Sequence, residues 1–351
     1  MAKELNQQPR RSAVTLDDVA RTAGVSPSTV SRTLNGRSGK VSGATAARIR
    51  AVAQELGYTT NLAAQAMAIG SSPVVGFVVD RIPEDYQNPV AVGVFAAAAR
   101  HDRLVVMGET DGGDMTRARR LVNRLRGQRP QLILIAGSRP LDDPGMDDLF
   151  AELALYEADG GRVVLIGQTG SQFDSVVVDD FAAGHAMAGA LAKLGYREFS
   201  VFCDNGLRNT IGTRRRDGFI AGLAENGIEL EPDRVIVNEF SHDGGYRSAG
   251  ELLGRRNGTQ AVFAVNDAVA IGALVRLREA GLRIGTDIAV AGCDDVAALR
   301  DVDPPLTTVR LPWKDVAEKA FELAADVDRT GPRTEVLRGY PVMRASTPGL
   351  E

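Results

Sequence analysis

Apolar residues recur three and four positions apart in two short stretches near the N-terminus, within VTLDDVARTAGVSPSTVSRTLNGR (14–37). This spacing predicts a first helix with Leu16, Val19, Ala20 and Ala23 on one face, then a second with Val30 and Leu34 together. Thr15, followed three residues on by Asp18, forms a capping box for the first helix, and Gly24 ends it. Ser26 caps the second, with Pro27 at its first position, where a missing N–H costs nothing. Asn35 and Gly36 stop it. Pro27, Ser28, Ser31 and Arg32 are left on its outward face. A third helix runs from a Ser42 cap to Leu56, and its Ile49, Val52, Ala53 and Leu56 close a small three-helix core. Gly57 terminates it.

From Val74 the texture changes to short apolar runs alternating with helical periodicity. Strands are expected at 74–79, 104–107, 132–135, 163–166, 175–178, 199–202, 235–237, 261–265 and 288–291. Helices are expected at 90–100, 116–127, 182–194, 215–226, 246–255, 268–280 and 313–326. Such alternation predicts doubly wound parallel sheets, two of them over this length, which bind ligands at the carboxyl ends of their strands. Asn266–Asp267 and Asp294–Asp295 follow the runs AVFAV and AVAGC, so they fall where such a cleft opens. Amides and carboxylates there suit ligand hydroxyls, which both donate and accept.

At 351 residues the chain exceeds one small core, and 44% hydrophobic with 25% charged residues is ordinary for a soluble protein. No apolar run is long enough for a membrane span, and MAKELNQQPRRSA lacks the apolar centre of a secretion signal, so a cytoplasmic protein is expected. Two cysteines, Cys203 and Cys293, indicate neither a disulfide framework nor a zinc site. The net charge of −4 divides unevenly. Residues 1–70 hold nine basic against four acidic residues, a net +5, which leaves −9 on the remainder. A basic head on an acidic body is the footprint of a phosphate-binding segment joined to one that avoids phosphate, although a solvated basic face gives the same count.

Helix, glycine-containing turn and short second helix match a DNA-binding helix-turn-helix, and also an ordinary αα-corner. A DNA reader needs hydrogen-bonding side chains near the start of its second helix, and Ser28 and Arg32 meet that need, with Pro27 beside them. Thr15, Ser26, Thr29, Asn35 and the basic loop Arg37 to Lys40 would hold phosphates. VTLDDVARTAGVSPSTVSRTLNG closely resembles the headpiece of the lactose-repressor/galactose-repressor (LacI/GalR) family of bacterial transcription regulators, and the resemblance extends to the end of the chain.

That resemblance implies an α/β protein: a helix-turn-helix headpiece (1–58), a hinge helix or linker (59–73) and a core of type I periplasmic-binding-protein fold (74–351). The core's N-subdomain would comprise about 74–179 and 313–340, its C-subdomain about 180–312 and 341–351. In the hinge, TTNLAAQAMAIGSSP, Asn61 would cap a short helix that orders on DNA, and Met67, with Ala64 one turn earlier, would enter the minor groove as a wedge. NDAVAIGAL and AGCDD match the family's ligand segments, implying effector contacts from Asn266 and Asp294. Arg215 in RRRDGF takes the family's ligand-arginine position, and Phe240 that of a stacking aromatic. The chain departs from the family where Cys293 replaces an aromatic, Gly167 and Gln168 replace a strand-end carboxylate, and a phenylalanine is missing after Asn88–Pro89.

Enzyme signatures are absent: there is no HExxH, GxSxG, P-loop or GxGxxG, and the three histidines are scattered. Asp179–Asp180 and Asp294–Asp295 read as surface or cap carboxylates, and no metal or cofactor is expected. The expected function is a homodimeric repressor of pseudo-palindromic operator DNA, controlled by a small molecule of sugar or nucleoside type. A solute-binding protein or a sugar-modifying enzyme on the same sheets is the alternative.

Overall fold

The computed structural model describes residues 14–34, 41–61, 64, 66–67, 70–80, 89–110, 112, 114–139, 141, 143–205, 210–255, 258–326, 328 and 330–350. The chain divides into two compact units, residues 1–72 and 73–351.

In the first unit, α1 (Leu16–Ala23) opens on the full capping box. Thr15 Oγ1 accepts the Asp18 N–H at 3.3 Å, and Asp18 Oδ2 accepts the Thr15 N–H at 3.0 Å. Gly24, at φ +64°, ends the helix in the left-handed conformation that favours glycine. The next helix, α2 (Pro27–Leu34), starts where Ser26 Oγ accepts the Thr29 N–H, and α3 (Gly43–Glu55) starts where Ser42 Oγ accepts that of Thr45. Val19, Ala20, Ala23, Val30, Ile49 and Ala53 form the buried core, with Val25 from the turn and Tyr58 packed on it. Beyond it, Asn61 Oδ1 accepts the Ala64 N–H at 3.1 Å, and Ala64, Ala66 and Met67 are helical. Asn35, Gly36 and the basic loop Arg37 to Lys40 lie outside the described residues.

The second unit holds two parallel sheets. Six strands, β1 (Ser72–Val79), β2 (Leu104–Glu109), β3 (Pro130–Ala136), β4 (Arg162–Ile166), β5 (Asp174–Val178) and β11 (Thr334–Leu337), lie in the order β11-β5-β4-β3-β1-β2. Four more, β6 (Phe199–Cys203), β7 (Val235–Val237), β8 (Ala261–Ala264) and β9 (Ala289–Ala291), lie in the order β7-β6-β8-β9. Central strands such as β6 and β8 are buried at every residue, which is why they read as unbroken apolar runs rather than as alternation. The six-stranded side carries α4 (Pro89–Arg100), α5 (Met115–Arg126), α6 (Met146–Ala158) and α11 (Trp313–Ala325). The four-stranded side carries α7 (Asp180–Lys193), α8 (Thr210–Glu225), α9 (His242–Arg255) and α10 (Asp267–Glu279).

Four elements were not legible. α6, MDDLFAELALYEA, is apolar nearly all round, and the strands β10 (Thr308–Arg310), β11 and β12 (Tyr340–Val342) are three or four residues long. β10 and β12 pair antiparallel between the two sheets. The chain passes from one side to the other between β5 and α7, between β10 and α11, and between β11 and β12. Its last residues return to the four-stranded side, where Ser346 Oγ donates to the Val290 carbonyl at 2.7 Å. At the second passage Trp313 opens α11 so close to α4 that a Cβ on Gly93 would lie 2.5 Å from the Trp313 carbonyl oxygen.

Candidate DNA-binding face and ligand cleft

On α2, Pro27, Ser28 and Arg32 are exposed and Thr29 and Ser31 half-buried, whereas Thr33 turns inward and donates its hydroxyl to the Thr29 carbonyl at 2.8 Å. Three hydroxyls gather at the start of this helix: Ser26 Oγ lies 3.0 Å from Ser28 Oγ and 2.8 Å from Thr29 Oγ1. Arg32 Nε donates to the Ser28 carbonyl at 3.2 Å, which folds the guanidinium back along the same face. Exposed Thr15 donates its hydroxyl to Asp18 Oδ2 at 2.7 Å. A helix start carrying hydroxyls is suited to a phosphate. In the segment beyond, Met67 is 78% exposed and Ala64 is exposed, while Asn61 acts as the cap described above.

In the second unit, the residues singled out by sequence converge at the strand ends of the four-stranded side. Arg215, on α8, is 2% exposed. Its Nε donates to Asp180 Oδ1 at 2.9 Å and its Nη1 to the Val265 carbonyl at 2.9 Å, while Asp294 Oδ1 lies 3.0 Å from Nη1. Asp180 is therefore buried in an ion pair, correcting its reading as a surface or cap carboxylate; neighbouring Asp179 is the cap, accepting the Ala182 N–H at 3.1 Å. The helices α7 and α8 bring the pair together by close approach, since a Cβ on Gly184 would collide with the Arg215 carbonyl. Asn266 Oδ1 caps α10 through the Val269 N–H at 2.7 Å. Phe240 is half-buried, and a Cβ on Gly212 at the start of α8 would lie 3.2 Å from its ring and collide with Asp204 Oδ1.

Electrostatically, Asp180 and Asp294 flank one guanidinium, and Asp267 feels the charge of Asp294. Burial pushes the Asp294 carboxyl up to about 6 against the pull of Arg215, and burial together with the Asp294 charge pushes Asp267 up to about 8. Burial also raises Asp180, while the surrounding carboxylates hold Arg215 charged despite its own burial. Asp294 sits at φ +131° and Asp295 at φ +56°, uncommon for residues with side chains. Asp295 ties Arg310 and Arg344 to this turn, which fixes the backbone that presents Asp294.

The opposite rim holds residues that sequence reasoning passed over. Asp80 ends β1 and accepts the Thr110 hydroxyl at 3.3 Å; Arg139, just past β3, is buried. Arg139 Nη1 donates to Asp143 at 2.9 Å and Nη2 to the Gly112 carbonyl at 2.8 Å. Gln168 accepts the Arg139 N–H at 2.9 Å. The rule that found Asn266 and Asp294, a polar residue directly after an apolar strand, also picks out Asp80. Ser138 and Thr210 bridge the two rims: their hydroxyls hydrogen-bond, and the Thr210 N–H donates to the Ser138 carbonyl at 3.3 Å. A Ser138→Cys, Thr210→Cys double variant is expected to form an internal disulfide under mild oxidation, seen as loss of two titratable thiols. Failure to crosslink would mean that the rims rest apart in solution.

A headpiece of this geometry joined to a two-sheet cleft defines a helix-turn-helix transcriptional regulator with a ligand-binding core. Residues 15–61 match the bacterial regulatory proteins of the lacI family, and residues 188–347 match the periplasmic binding protein-like domain. The HTH-type transcriptional regulator CelR of Thermobifida fusca is 31% identical over 336 residues, covering 94% of this chain and 96% of its own. GalS of Salmonella typhimurium is 32% identical over 313 residues, covering 89% of each. Among solved structures, a CelR–cellobiose complex superposes with a TM-score of 0.67 at 28% identity, covering 95% of this chain and 99% of that one. The lac repressor dimer bound to operator and the anti-inducer ONPF shares the fold, with a TM-score of 0.80 at 24% identity, covering 96% of this chain and 100% of that one. The chain belongs to the LacI family of bacterial transcriptional regulators.

Proposed function

We propose that the protein is a repressor that binds a pseudo-palindromic operator as a homodimer and is controlled by a sugar or nucleoside in the core cleft. Ser28 and Arg32, with Pro27 beside them, read the major groove, and Thr15, Ser26, Thr29 and Asn35 hold phosphates. Asn61 starts the hinge helix, from which Met67 and Ala64 enter the minor groove. Arg215, Phe240, Asn266 and Asp294 form the effector side of the cleft. The observation carrying this reading is the coexistence, in one chain, of an exposed polar α2 face and a cleft whose polar groups stand at strand ends. The cellobiose complex of CelR supports a sugar as effector. The protein performs no catalysis, uses no cofactor or metal, and works in the cytoplasm. The effector acts by binding two states of the core unequally, so that it shifts their populations and with them operator affinity.

Full-length protein is expected to retard DNA from upstream of its own gene in a gel shift, with affinity that falls as salt rises. A variant lacking residues 1–60 is expected to lose that binding altogether. Equal retardation by both proteins would refute the assignment of DNA binding to the headpiece.

A further inference from the structure

The two buried arginines at the rims are already matched by carboxylates. Arg215 lies between Asp180 and Asp294, and Arg139 between Asp143, at 2.9 Å, and Asp80, at 3.5 Å. Each rim therefore carries one guanidinium between two carboxylates, and an incoming phosphate would have to displace an acidic side chain from either one. Of the four carboxylates Asp80 is the most open: its side chain is 33% exposed, against 20% for Asp143, 11% for Asp180 and 20% for Asp294.

The chain approaches Asp80 closely and without side chains. A Cβ on Gly137 would stand 2.9 Å from Asp80 Oδ2, and one on Gly167 would stand 3.2 Å from the Gly137 carbonyl oxygen, so neighbouring strand ends present bare backbone beside the carboxylate. Ser138, the residue after Gly137, makes the bridge to Thr210, which places Asp80 at the point where the rims meet. Arg139 Nε is buried with no hydrogen-bond acceptor among the described residues and lies 3.5 Å from Asp80 Oδ2. The contact is long, and a carboxylate oxygen has a second lone pair with which to accept a further donor. Burial pushes the Asp80 carboxyl up against the opposing charge of Arg139.

We propose that Asp80 is the hydroxyl acceptor on the six-stranded rim, and that Asp80 with the two carboxylate-matched arginines restricts the effector to uncharged polyhydroxyl compounds and excludes their phosphorylated counterparts. The proposal rests on the effector-binding reading above. A carboxylate takes donors from neighbouring hydroxyls in charge-assisted bonds, whereas a phosphate there would bring like charges together without a free cation.

The test is calorimetric titration of the full chain and of its Asp80→Asn and Asp80→Ser variants. The probes are cellobiose, galactose, ribose and adenosine, each paired with its phosphate monoester: cellobiose 6′-phosphate, galactose 1-phosphate, ribose 5-phosphate and adenosine monophosphate. At least one uncharged probe is expected to bind the wild-type chain, its phosphorylated partner is expected not to, and both variants are expected to lose about ten- to a hundredfold in affinity. Equal binding by wild type and by a variant with a wild-type melting transition overturns the role of Asp80 and leaves the effector reading standing. Tighter binding of a phosphorylated probe than of its parent overturns the exclusion. If no uncharged probe binds the wild type, the sugar or nucleoside reading itself fails, and this proposal with it.

Discussion

Replacing Arg215 with methionine is expected to destabilise the core by about 3–5 kcal/mol, the cost of breaking a buried ion pair from one side. Methionine fills much of the same volume, so the loss comes from Asp180 and Asp294, left facing each other without a counter-charge, and from the Val265 carbonyl, left without its donor. Urea unfolding of the 73–351 transition, followed by circular dichroism, measures it. Combining Arg215→Met with Asp180→Asn and Asp294→Asn is expected to recover part of the loss, because the uncompensated charges are then gone. A loss below about 1 kcal/mol for the single change would mean that water, not Arg215, supports the two carboxylates.

The second large effect is a fall in stability with rising pH. Asp267, raised to about 8, and Asp294, raised to about 6, both bind protons more tightly folded than unfolded, where an aspartate titrates near 3.8. Their contribution is fully present below that value and is lost as pH climbs through 6 and then 8. The slope approaches about 1.4 kcal/mol per pH unit for each group while the folded state alone holds its proton. Both oxygens of Asp267 accept, Oδ2 from the Val296 N–H at 3.0 Å and Oδ1 from the Thr308 hydroxyl at 2.7 Å, and these bonds oppose the upward push of burial and of the Asp294 charge. Asp267→Asn keeps the Val296 bond through its amide oxygen and turns the Thr308 bond round, its NH2 donating to Thr308 Oγ1. It is expected to flatten the decline between pH 4 and 8 and to make the variant more stable than wild type at pH 8, as read from melting temperatures across that range. An unchanged slope would show that Asp267 is ionised throughout.

Local patterns in the chain specified local structure well. Thr15 with Asp18, Gly24, Ser26 with Pro27, and Ser42 each mark a helix end by groups within four residues, and each does so in the structure. Unbroken apolar runs located nine strands, the central ones covered on both faces and so in no need of polar alternation. β10, β11 and β12 escaped since their pairing, as between Thr308 and Val342, is decided by distant partners and not by their own composition. The cleft divides in the same way. Asn266 and Asp294 were visible as polar residues closing apolar runs, whereas Asp180 meets Arg215 across 35 residues and Ser138 meets Thr210 across 72. In RRRDGF only the family pattern separates Arg215 from Arg216 next to it; the physical distinction is the packing of α7 against α8, which buries Arg215.

Trp313 is the sole tryptophan of the chain, and it opens the helix that carries the backbone back to the six-stranded side. Its indole nitrogen is buried without a hydrogen-bond partner among the described residues, and its carbonyl abuts Gly93. The molecule thus carries one indole, fixed at a passage between its two sheets. Excited at the red edge, beyond the absorption of the six tyrosines, its emission would follow the rearrangement of that joint without a label.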